Sequence, residues 1–186
     1  MIVLTLMLTA AAAAPAALSM LPQHRRPRLL IKNLAAVAQL VLLAAAALCA
    51  LAAEQTATSV VGLALTVLIT AAAAAVGGSG VSTAVLDSAA REHREDPAEQ
   101  VSDLPPDDRP VLRGGAWIGV LERLAAVVTL LAAWPEGLAV VLAVKGLARY
   151  SELRRPNGAA ERFIIGTFCS VLWASACAGI AMLVTA

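Results

Sequence analysis

The sequence predicts an all-α, polytopic helical membrane protein, and three observations carry that prediction. Apolar residues make up 60% of the 186 positions and charged residues only 15%, against about 45–50% and about 25% in soluble domains. The apolar residues gather into about six long segments, and a run of about 18 or more matches the thickness of a bilayer. Outside those segments, Lys and Arg are confined to alternate loops, as in proteins whose insertion follows the positive-inside rule. Alanine fills 43 positions while aromatic residues account for 3%, a composition that excludes a soluble enzyme core, a nucleic-acid module and a disulfide scaffold. The net charge of +1 points to no particular partner.

The segments follow in order. Residues 2–21 are apolar and interrupted only by Pro15. A signal peptide would need a basic start, and this stretch has no charge, so it is expected to be a retained helix. Residues 34–53 carry Gln39 as their one strongly polar side chain, and residues 59–86 end near Gly77, Gly78, Ser79 and Gly80. Domain organisation is therefore three N-terminal transmembrane helices over 1–86, an acidic Pro-containing loop over 87–115, and a C-terminal unit over 116–186. That unit holds a hairpin, 116–150, whose second arm (137–150) is short, and a final helix, 163–186. The loop carries eight acids against four bases with Pro97, Pro105, Pro106 and Pro110, so a short exposed helix over 87–99 and an open remainder are expected.

Loops 22–33, 87–115 and 151–162 hold four, four and three Lys or Arg, and the intervening turns hold none. This alternation predicts six crossings, with both termini outside and those three loops cytoplasmic.

Chemistry is sparse. Cys49, Cys169 and Cys177 sit in apolar stretches without a CxxC pair or a nearby His, so they are expected to pack as small hydrophobes. His24 and His93 have no nucleophile nearby, and no zinc, Asp-rich or GxSxG motif is present. No cofactor, metal or catalytic set is expected. The candidates are instead charges placed inside apolar segments, which cost several kcal/mol and mark function by default. An antiparallel hairpin turning at Trp134, Pro135, Glu136 and Gly137 sets Glu122 opposite Arg149, with Lys145 one helical turn away. Arg123 points about a quarter-turn aside and is expected to meet Glu161 or a lipid phosphate. The candidate network is Glu122, Arg123, Lys145, Arg149, Glu152 and Glu161. Candidate kink or packing positions are Gly77, Gly78, Gly80 and Gly166, the last paired with Ser170 as Ala174 is with Ala178 in small-xxx-small spacing.

Three runs carry a resemblance: G-x-L-E-R at Gly119, Leu121, Glu122 and Arg123; A-x-K-x-x-x-R-aromatic at Ala143, Lys145, Arg149 and Tyr150; and E-x-F-x-I-G-T-x-x-S at Glu161, Phe163, Ile165, Gly166, Thr167 and Ser170. Residues 115–178 thereby resemble the C-terminal membrane portion of an uncharacterised bacterial membrane-protein family, a domain of unknown function also found in phage-related proteins. The resemblance implies a multi-pass protein of a bacterial cytoplasmic membrane and supplies no activity. The expected function is a non-enzymatic membrane scaffold or assembly subunit. The alternatives are a small oligomeric transporter or channel using Glu122, Lys145 and Arg149, and a protein or enzyme that binds lipid headgroups. Expected partners are the bilayer, anionic lipid headgroups, and a second copy or another protein through loop 87–115.

Overall fold

The computed structural model describes residues 2–19, 29–52, 59–92, 115–154 and 159–185. All regular structure among them is helical: α1 (Ile2–Ser19), α2 (Leu29–Leu51), α3 (Val60–Glu92), α4 (Gly115–Leu131), α5 (Glu136–Ala148), α6 (Tyr150–Leu153) and α7 (Ala159–Thr185). Three stretches, Asn33–Leu51, Val60–Ala89 and Ala159–Thr185, are long and apolar enough to cross a membrane, and Val3–Ala14 forms a shorter apolar helix.

The distribution of side chains is the reverse of a soluble protein's. Leu34, Val41, Leu48, Leu68, Val128 and Leu172 face outward, while Thr5, Thr9, Gln39, Thr66, Thr70, Arg123, Thr129 and Ser170 are buried. An exterior of large aliphatic side chains over a small, partly polar interior suits lipid, which offers helices no hydrophobic reason to associate. Alanines instead let the backbones approach: Ala12, Ala46, Ala73, Ala74, Ala174 and Ala178 lie in the core with Cys177 and Trp173. Several buried hydroxyls are satisfied within their own helix, Thr66 donating to Gly62 O at 2.9 Å, Thr70 to Thr66 O at 2.7 Å and Thr129 to Ala126 O at 2.9 Å.

Helix α3 is the axis of the assembly, packed by α1, α2, α4 and α7. It runs antiparallel to α7, since Leu86 lies against Gly166 and Gly77 against Trp173. Of the bend or close helix contact expected at Gly77–Gly80, the structure shows the contact: α3 is helical through all four residues, with Trp173 against Gly77 and Arg123 against Gly78. Gly80 instead accepts from the Thr83 hydroxyl at 3.0 Å. The same helix continues through Asp87 to Glu92, so the helical start expected for 87–99 is a continuation of α3; the rest of the acidic loop, 93–114, lies outside the described residues.

The turn between α4 and α5 decides the hairpin register. Ala133 has φ 54°, its N–H donates to Leu130 O at 3.1 Å, and the Trp134 N–H reaches Thr129 O at 2.9 Å. This is a Schellman cap, which stops α4 at Leu131. The left-handed position is usually glycine, since a Cβ there costs about 1–2 kcal/mol. Ala133→Gly is therefore expected to raise the stability of the detergent-solubilised protein by about 1 kcal/mol, checked by a denaturant or thermal unfolding series. A loss would mean that the alanine methyl is needed for packing at the turn.

Candidate functional site

The polar centre lies where α4 packs against α3, α5 and α7. Glu122 is nine residues before the end of α4 and Lys145 nine residues after the start of α5, so the early cap at Ala133 brings these two to the same depth. Glu122 and Lys145 form an ion pair, each about one-fifth exposed. Of the two partners left open for Glu122, the structure pairs it with Lys145. A turn centred two residues later would have aligned Glu122 with Arg149, which instead is exposed beyond the end of α5. Lys145 also lies 6.0 Å from the centre of the Phe163 ring, linking the hairpin to α7.

Arg123 does not reach out to Glu161 or to lipid. It is 5% exposed and turned inward, where Nε and Nη2 both donate to the Ala75 carbonyl, at 3.0 and 2.6 Å, and Nη1 donates to Ser170 Oγ at 3.4 Å. Its position on the α4 surface, adjacent to Glu122, faces the α3–α7 seam rather than α5. Glu161 is exposed in the first turn of α7, far along that helix from Ser170. Glu152 belongs to α6, and its side chain lies outside the described residues.

The paired glycines make the inward turn of Arg123 possible. A Cβ at Gly78 would fall 2.6 Å from Arg123 Cδ, and one at Gly77 would overlap the Trp173 ring, 2.8 Å from Cε2. Both positions are close-approach sites within α3. Gly166 is less demanding, with Leu86 Cδ1 at 3.4 Å from its would-be Cβ. Around this level α3 accepts side-chain hydrogen bonds from three neighbours. Trp173 Nε1 of α7 donates to Ala73 O at 3.2 Å, Arg123 of α4 to Ala75 O, and Gln39 of α2 to Gly77 O at 3.5 Å. Gln39 Nε2 also donates to Ala12 O of α1 at 3.0 Å. A helical carbonyl keeps a second lone pair after its own i+4 bond, so these contacts add to the helix rather than break it.

Gln39, Trp173 and Ser170 therefore belong to the site, although sequence reading placed none of them in the charge network. A signal for Gln39 was available, as the one strongly polar residue of its span. Comparison with family models, curated proteins and solved structures finds no match.

Proposed function

We propose that the protein is an integral membrane scaffold or assembly subunit, with no chemistry of its own, whose intramembrane charges hold its helices together. The observation carrying this reading is how the candidate charges are used. Arg123 joins α4 to α3 and α7 through backbone and hydroxyl acceptors, and Lys145 joins α5 to α4 and α7. Groups committed to such bonds serve cohesion, as buried polar contacts do between membrane helices. The partner-facing element is the acidic loop 87–115 at the end of α3, and the bilayer a bacterial cytoplasmic membrane with loops 22–33, 87–115 and 151–162 inside. The likeness of residues 115–178 to the bacterial membrane family enters this proposal on the same footing.

The hairpin is proposed to enter from the cytoplasmic side and turn within the bilayer. Lys145 beside Phe163 and Arg123 beside Ser170 run α5 antiparallel and α4 parallel to α7. Counting along the helices, the tip comes level with residues 172–178 of α7. That leaves roughly 10–20 Å of α7 beyond it at 1.5 Å per residue. A six-crossing chain would carry the tip to the outer face.

Reconstitution in proteoliposomes tests both statements. The expected results are no solute-driven current or flux, and protection of a Glu136→Cys thiol from impermeant reagent added outside. Chemical cross-linking in the native membrane is expected to trap a partner that deletion of 95–112 releases. Flux abolished by Glu122→Gln in folded protein would replace the scaffold by the transporter reading, and outside labelling of residue 136 would restore six crossings.

A further inference from the structure

Three arginines, Arg149, Arg154 and Arg162, stand exposed where α5 ends, α6 follows and α7 begins. On α5 the outward residues Val140, Val144 and Leu147 recur at i, i+4 and i+7, one face of a helix. Tyr150 comes three residues later, also exposed, and the Arg154 guanidinium lies over its ring, 4.8 Å from the centre. The Leu153 N–H donates to Arg149 O at 3.0 Å, so α6 winds on from the cap of α5. On α7, Arg162 is followed by Ile164 and Phe168, both turned outward. Each arginine-bearing stretch thus adjoins aliphatic or aromatic side chains that face lipid.

Depth along the helices puts these groups near one level. Lys145 lies over Phe163 on antiparallel helices, so Arg149 comes level with residue 159, roughly 5 Å from the level of Arg162. Arg123 bonds Ser170 on parallel helices, which sets Trp117, exposed near the start of α4, level with Ile164. Trp117 and Tyr150, the one tyrosine of the chain, therefore lie within about two helical turns of each other in depth. Such rings gather at a membrane–water boundary, being apolar in body and polar at one edge. From 149 to 162 the chain carries four arginines against Glu152 and Glu161, an excess of positive charge. An occupant has to match that charge and the lipid-facing side chains directly beneath it. A soluble anion matches only the first, and a neutral lipid only the second.

We propose that the end of α5, α6 and the start of α7 dock the headgroup of an anionic phospholipid, with Arg149, Arg154 and Arg162 donating to its phosphate and its acyl chains lying along Leu147 and Ile164. Arginine suits this role because its planar fork meets two phosphate oxygens at once. Stacking on Tyr150 holds the Arg154 fork in place, so less side-chain freedom is lost on binding. The surface goes beyond the scaffold reading and does not depend on it. Binding is measured on the purified protein whatever its partners, and this end of the bundle meets the membrane surface whether the hairpin turns within the bilayer or crosses it.

The test is native mass spectrometry of the purified full chain in non-ionic detergent, titrated with phosphatidylglycerol or with phosphatidylcholine of the same acyl chains. Binding of phosphatidylglycerol is expected to be about tenfold tighter, the attraction of three arginines to an anionic headgroup being offset in part by the neighbouring glutamates. The variants Arg149→Gln, Arg154→Gln and Arg162→Gln are each expected to lower that preference about twofold, and the triple variant to abolish most of it. The single variants keep the test open even where the triple variant folds poorly. A second triple variant, Arg94→Gln, Arg109→Gln and Arg113→Gln, removes the same charge from loop 87–115 and is expected to keep the preference. Equal binding of the two lipids, or a preference that the first triple variant keeps in full, overturns the proposal. An equal loss in the loop variant does so as well, since overall charge and not this surface would then select the lipid. Inorganic phosphate that displaces bound phosphatidylglycerol at equimolar concentration would replace the lipid by a free anion.

Discussion

Gly77→Ala is expected to destabilise the detergent-solubilised protein by about 2–3 kcal/mol, the upper range for overpacking a close-fitting interior. The sign is the informative part, because replacing glycine by alanine inside an unconstrained helix gains about 1 kcal/mol. Here the new methyl would fall on the edge of the Trp173 ring. That ring cannot swing away cheaply, being 3% exposed and held by its bond to Ala73 O. Either α7 moves off α3 or the indole gives up its partner. Trp173→Leu removes the colliding atoms, at a cost of about 3 kcal/mol on its own for the space it leaves. The double variant should then lose clearly less than the sum of the two singles, as contacting sites do in a double-mutant cycle. Unfolding midpoints of the four proteins in one detergent check this. Additive losses would place Gly77 and Trp173 out of contact and the α3–α7 packing described above in error.

The Glu122→Gln protein should be less stable by about 1–2 kcal/mol, with the loss partly recovered by adding Lys145→Gln. Breaking a fully buried ion pair from one side costs about 3–5 kcal/mol. The discount reflects the exposure of both side chains, 20% and 21%, which allows the stranded ammonium to reach the headgroup region or water. Lys145→Gln alone also forfeits its approach to the Phe163 ring, worth about 0.5–1 kcal/mol. Adding Arg149→Gln in place of Lys145→Gln is the control and should show little coupling. Coupling to Arg149 and not to Lys145 would mean that the hairpin turns two residues later than the cap at Ala133 sets. The cycle bears on function as well, since a rescued double variant that keeps cross-linking to its partner supports a structural role for the pair.

Much of the fold was legible in the residues because it rests on one-dimensional properties. Long apolar runs specify where helices form, and in a bilayer they must, as every backbone polar group has to be bonded within the segment. The placement of Glu122 and Lys145 in facing arms of one hairpin was equally legible, since both arms are short and joined by a tight turn. Less legible was the turn itself. Trp134 and Pro135 mark its vicinity, but the left-handed residue that sets the register is Ala133, an alanine where backbone sterics favour glycine. Its position shifts the register by four residues, about one helical turn, and so selects Lys145 over Arg149 between the two partners open to Glu122.

By itself, then, the sequence determined the helical class, the apolar segments and the depth of the charges along each, because hydropathy and charge are carried by side chains and read in order. Only the tertiary structure decided where Arg123 points. Its acceptor is the carbonyl of Ala75, a group every residue possesses and no sequence motif can mark. Access to that carbonyl depends on the missing side chain at Gly78, forty-five positions earlier, and on α7 lying close enough to add Ser170. The glycines signalled a special backbone, and a bend and a close approach satisfy that signal equally. Which of the two occurs is settled by whether a bulky partner, here Trp173 at Gly77, arrives from another helix to fill the space.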